Sequence, residues 1–128
     1  MKTTEKDFKL FKETFLEYQK KFGLIGYEIH CLHEYTKDAY ADIAIDQMAK
    51  KGTVRFSTKW TGDIKLSDER IKRTAMHECL HLLISRLSWL ATCRYVAEPE
   101  IKEEDEALVI RLTAILKEYE KMGEERKE

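Results

Sequence analysis

A single α+β domain is what the sequence predicts: an N-terminal helix, a small three-stranded and mainly antiparallel sheet, a central helix and a C-terminal helix, together spanning residues 1–128. Three observations predict it. Aromatic residues recur at three- and four-residue spacing between Phe8 and Phe22, the period of one helical face. Two runs in the middle of the chain alternate apolar and polar residues, the period of strands. From Ser67 onward the apolar spacing returns to that of helices. With 128 residues, 43% of them hydrophobic, the chain is long enough to bury one core, and no Pro/Gly-rich linker or internal repeat divides it.

The first helix covers about Glu5 to Phe22, with Phe8, Phe11, Phe15, Tyr18 and Phe22 as its core stripe, and Gly23 and Gly26 end it. Tyr27 to Tyr35 alternates loosely and reads as a strand. His30 and His33 are three apart on it and so point to opposite faces, which makes them polar or edge residues and poor partners for one metal. Ala41 to Met48 and Thr53 to Trp60 alternate more cleanly, and Lys50-Lys51-Gly52 between them supplies the turn of a hairpin. Gly62-Asp63 turns the chain again. Ser67 is the N-cap of the central helix, with Asp68 and Glu69 in the first turn, where the helix dipole favours acids. That helix runs to about Leu90, amphipathic at first and apolar nearly all round from Cys79. Thr92 to Pro99 connects, Pro99 stops helix continuity, and a last helix runs from about Lys102 to Met122. Leu108, Val109, Leu112, Ile115, Leu116 and Tyr119 share one of its faces, and residues 123–128 form a fraying tail of Gly and charge.

The chemistry is concentrated in the central helix, in His77-Glu78-Cys79-Leu80-His81. Positions four apart lie on one helical face, so both imidazoles can reach one point in space. Zinc takes neutral imidazole nitrogen readily and would sit at that point, one ion per chain. Glu78 follows the first histidine, about 100° round the helix. From there its carboxylate can take the proton of a water that zinc has made acidic. A buried helix that merely happens to carry these side chains is the competing interpretation. It would place an unpaired Glu in the most apolar stretch of the chain, at a cost of several kcal/mol.

Composition excludes other classes. The net charge of −1 leaves no basic excess to neutralise phosphates, which argues against nucleic acid as a partner. No apolar run is long enough to span a bilayer, and the charged start carries no signal region. Cys31, Cys79 and Cys93 are odd in number, without paired metal spacing, and are expected to be reduced thiols in a cytoplasmic protein.

A catalytic zinc wants three protein ligands and one open position. No histidine follows His81, so the downstream supply is acidic: Glu98, Glu100, Glu103, Glu104, Asp105 and Glu106. Here the sequence resembles the gluzincin class of zinc metallopeptidases, and most nearly the small single-domain forms often carried by phages and mobile elements. The residues that carry the resemblance are His77-Glu78-Cys79-Leu80-His81 and, 25 positions on, Glu106-Ala107-Leu108 opening an apolar helix. The resemblance implies a zincin-like arrangement and a helical Glu as third ligand, Glu106 here, with Asp105, Glu104 and Glu103 as alternatives. The chain departs from the larger gluzincins at Ile110, where they often carry an Asp that orients a zinc-bound histidine.

A zinc-dependent peptidase acting on a peptide or protein substrate follows as the expectation, with His77, His81 and Glu106 as ligands and Glu78 as general base. Tyr95, between the two ligand-bearing helices, is the candidate transition-state donor, and a hairpin edge around Thr53 to Trp60 would align the substrate. The alternative is a catalytically inactive zinc-binding module acting through protein–protein contacts. The small size of the chain, which leaves little wall for a cleft, favours it; Glu78, which a structural site has no use for, opposes it.

Overall fold

The computed structural model describes residues 1–62 and 65–127, and contains helix α1 (Glu5–Lys21), strands β1 (Glu28–His33), β2 (Ala41–Asp46) and β3 (Lys51–Phe56), and helices α2 (Asp68–Thr92) and α3 (Glu98–Lys127). Part of the expected Gly62-Asp63 turn and the last residue of the tail, Glu128, lie outside the described residues. Among the described residues no helix is long and apolar enough to cross a membrane.

Local chemistry sets the start and stop of each helix. Thr4 caps α1 in a reciprocal box: its hydroxyl accepts from the Asp7 N–H at 3.2 Å, and the Asp7 carboxylate accepts from the Thr4 N–H at 2.9 Å. Gly23, at φ +70°, takes the left-handed conformation that ends the helix. The aromatic stripe goes where its spacing sends it, with Phe11 and Phe15 fully buried, Phe22 buried, and Phe8 and Tyr18 packed at the rim of the core. Ser67 caps α2, accepting from the Arg70 N–H at 3.3 Å.

The sheet is mixed, with strand order β1-β3-β2, and not mainly antiparallel. β2 and β3 form the expected antiparallel hairpin, but β1 pairs with β3 in parallel, Glu28 against Lys51 through His33 against Phe56. The link after β1 carries β2 past the position beside it and leaves that slot for β3. Central placement suits β3, whose Val54 and Phe56 are fully buried. Gly52 makes room for the neighbouring strand: a Cβ would stand 2.9 Å from the Ile29 Cδ1 of β1, and that methyl would have to turn aside. The hairpin turn comes earlier than expected, ahead of Lys51, with Lys50 at φ 55° and the Asp46 carboxylate accepting from the Ala49 N–H at 3.0 Å. Because β3 lies inside the sheet, the substrate-aligning edge expected at Thr53 to Trp60 is not an edge. β2 is.

α2 buries Ile71, Ala75, Cys79, Leu82, Leu83 and Leu90 against α1 and the sheet, but it is not buried all round: His77, His81 and Ile84 are exposed. α3 starts at Glu98, not near Lys102. Pro99 falls in its first turn, where the missing N–H has no helical partner to lose. The helix continues past Met122 and through Gly123 to Lys127. Only Leu108 of its apolar face is buried and Ile115 half-buried, while Val109, Leu112, Leu116 and Tyr119 stay exposed. Thirty residues make a helix of about 45 Å.

Candidate metal centre

Along one face of α2 run Thr74, His77, His81, Ser85 and Ser88, three or four residues apart, and opposite them lies β2. The two elements enclose an open cleft of about 610 Å³, lined from the strand side by Ala41, Asp42, Ile43 and Ile45. Its floor is tied by side chains. The Gln47 amide donates to Ser85 Oγ at 2.6 Å, the Ser85 hydroxyl donates to the Leu82 carbonyl at 2.6 Å, and the Tyr27 hydroxyl donates to Gln47 Oε1 at 2.9 Å. This chain of bonds fixes the end of β2 against the middle of α2.

The imidazoles of His77 and His81 converge at the cleft, with Nε2 atoms 3.2 Å apart and ring planes at 82°. Two nitrogens bound tetrahedrally to one zinc at 2.0–2.1 Å would be about 3.3 Å apart. The observed separation therefore fits a shared divalent ion, and both rings are exposed to receive it. Glu78 behaves differently from its neighbours: it is only 6% exposed. Burial first, and then the negative charge of Asp42, push its carboxyl up to about 7. A carboxyl balanced between its two forms near neutrality is suited to accepting and releasing a proton.

Asp42 is the other acid of the cleft. It faces Arg55 across the hairpin, where the guanidinium Nε donates to Oδ1 at 2.8 Å and Nη2 pairs with Oδ2. The two-bond arrangement holds the Asp42 carboxylate in one orientation. The motif does not announce Asp42, Arg55, Gln47 or Trp89 as members of this site.

No known family model, curated protein or solved structure matches this chain. The assignment of chemistry therefore rests on the geometry of its own residues.

The structure brings together His77, Glu78 and His81, and it does not bring the expected third ligand to them. Glu106, Asp105 and Glu103 are exposed on α3, and Glu104 accepts from Arg86 Nε at 3.1 Å. None of the four lines the cleft, and among the described residues no three His, Cys, Asp or Glu side chains gather as a metal cage. The reason is angular. Arg86 is five residues beyond His81, about 140° round α2, so an α3 that docks at Arg86 lies away from the histidine face. Tyr95 is likewise outside the cleft, 86% exposed, with the Arg94 guanidinium 5.5 Å from its ring centre. His33 has a packing role, hydrogen-bonded to Thr3 Oγ1 at 2.7 Å and stacked on Phe8 at 5.1 Å. The three cysteines are free thiols, and burial pushes that of Cys79 up to about 12.

Proposed function

We propose that this chain is a zinc-dependent peptidase in which His77 and His81 hold the ion and Glu78 is the general base. The observation that carries the proposal is the pair of Nε2 atoms 3.2 Å apart at the cleft, with a buried carboxyl directly beside them in sequence. Bound zinc supplies Lewis acidity, polarising a carbonyl and bringing the acidity of water into the neutral range. Glu78 accepts the proton of the attacking water and passes it to the nitrogen of the leaving amine. A third ligand would come from Asp42, already in the cleft, or from Glu106 of α3, which stands outside it. β2 is an edge strand of the sheet, the one that lines the cleft, so an extended peptide can add to it by main-chain hydrogen bonds. Zinc-loaded Glu78→Gln protein should keep its metal and lose peptide cleavage by at least about a hundredfold, the span of general base catalysis. Undiminished cleavage would remove Glu78 from the reaction.

The alternative, a catalytically inactive zinc-binding module acting through protein–protein contacts, draws support from one observation: no third ligand stands beside the two histidines among the described residues. In that case wild type and Glu78→Gln would be equally inert toward a peptide library while both bind zinc.

A further inference from the structure

On the other side of the Glu78 position lies a second cavity, of about 360 Å³, which shares Ala41, His77 and Glu78 with the larger cleft. Its remaining walls differ in character. Tyr40 and Trp60 pack ring against ring at 4.5 Å and form one side, and Arg70, Arg73 and Thr74 of α2 form the other. Arg70, Thr74, His77 and His81 fall on one stripe of the helix, so the guanidinium groups stand one and two turns before the first histidine. Neither is strongly committed: among the described residues Arg70 has no ion pair, and the one partner of Arg73 is Glu69 at a loose 3.8 Å. The larger cleft lacks such a charge excess: among the described residues no arginine or lysine lines it, and Arg55, outside its lining, is paired with Asp42.

We infer that this second cavity is a carboxylate subsite, and that the Arg70–Arg73 pair selects peptides carrying an anionic group next to the bond presented to His77 and Glu78. The role of the bound peptide as substrate rests on the hydrolase reading above; the selection by charge does not. Paired guanidinium groups beside an aromatic wall hold a carboxylate through charge-assisted hydrogen bonds and exclude a cationic side chain. Thr74 adds a hydroxyl on the same wall, although that hydroxyl now donates to the Arg70 carbonyl at 2.8 Å. Glu78, at the junction of the two cavities, is the only acid in the lining among the described residues, so the anion is drawn to the arginine end. The anion can be the side chain of an acidic residue or the C-terminal carboxylate of a short peptide.

The two tryptophans provide the test, since Trp60 lines the second cavity and Trp89 the larger cleft, and each gives one indole N–H signal by NMR. Trp60 Nε1 is buried and without a partner among the described residues, so exchange with water does not erase its signal. The full chain is titrated with three peptides: acetyl-Ala-Glu-Ala-amide, acetyl-Ala-Gln-Ala-amide and acetyl-Ala-Gln-Ala with a free C-terminus. At least one anionic peptide should move the Trp60 signal with an affinity about tenfold or more above that of the neutral peptide, the factor one charge-assisted contact supplies. The peptide that does so identifies the source of the carboxylate. Arg70→Gln with Arg73→Gln should abolish the difference while leaving the rest of the spectrum, and hence the fold, in place. A neutral peptide that binds as well as both anionic ones, or an anion preference that survives in the double variant, would overturn the subsite. Absence of cleavage by zinc-loaded protein would count against the hydrolase reading alone, because the indole shifts are read without turnover.

Discussion

At the scale of single residues, Glu78 makes the most exacting demand on the fold. Its carboxyl is held up to about 7 by burial and by Asp42, whereas in an unfolded chain it would ionise near 4.5. A carboxyl whose pKa is higher in the folded state binds its proton more tightly there, so folding is favoured below 4.5 and the advantage is lost as pH rises through 7. The metal-free protein should therefore lose roughly 3 kcal/mol of stability between pH 4.5 and pH 8 through this one group. Glu78→Gln, which cannot ionise, should flatten that part of the profile in urea titrations, being more stable than the parent at pH 8 and similar at pH 4. Bound zinc brings an opposite charge and should erase the difference. Cys79, two positions from the first histidine, is a thiol at every ordinary pH and should resist alkylation in the native state while Cys93, half-exposed, reacts. What the sequence disclosed at this scale was the triplet His77, Glu78 and His81, because helical periodicity alone aligns them. Asp42 was not legible. Its role depends on a cross-strand register: a turn at Lys50-Lys51-Gly52 would pair Ala49 with Thr53 and so set Gln47 against Arg55, and the turn actually made sets Asp42 there.

At the scale of elements, helices were more legible than the sheet. The cap at Ser67, the stripe on α1 and the place of Gly23 are local features, readable within a few residues. The order β1-β3-β2 is not local, since alternation marks a strand without naming its neighbours. Pro99 carries the chemistry of a helix stop, yet it sits in the one turn where proline is tolerated. The apolar face of α3 exists as its spacing predicts, but burial of that face depends on how far the domain extends beneath it. Leu108→Ala should thus cost about 2–3 kcal/mol in denaturant melts, and Leu116→Ala, at a position 61% exposed, less than about 0.5 kcal/mol. Gly52→Ala should cost less than about 1 kcal/mol in the same melts, because the one close atom is the terminal methyl of Ile29, which can turn aside.

At the scale of the whole molecule, one open cleft lies between the edge strand and the histidine face of α2, and the remaining helices support these two walls from behind. α1 packs the far side of α2, and α3 braces it through Leu108 and the Arg86–Glu104 ion pair. The N-terminus is bound in as well: Met1 and Trp60 exchange main-chain bonds at 2.8 and 2.9 Å, which positions the Trp60 ring at the second cavity. The proposed zinc site still needs a third ligand, and its source would distinguish a rigid site from one that α3 completes on binding. The most direct measurement is zinc content by mass spectrometry on purified wild type, His77→Ala, Asp42→Asn and Glu106→Ala proteins. The account predicts about one zinc per chain in wild type and none in His77→Ala, with loss in one of the two acid variants naming the third ligand. Wild-type protein that takes up no zinc, or His77→Ala that keeps it, would contradict the account at its centre.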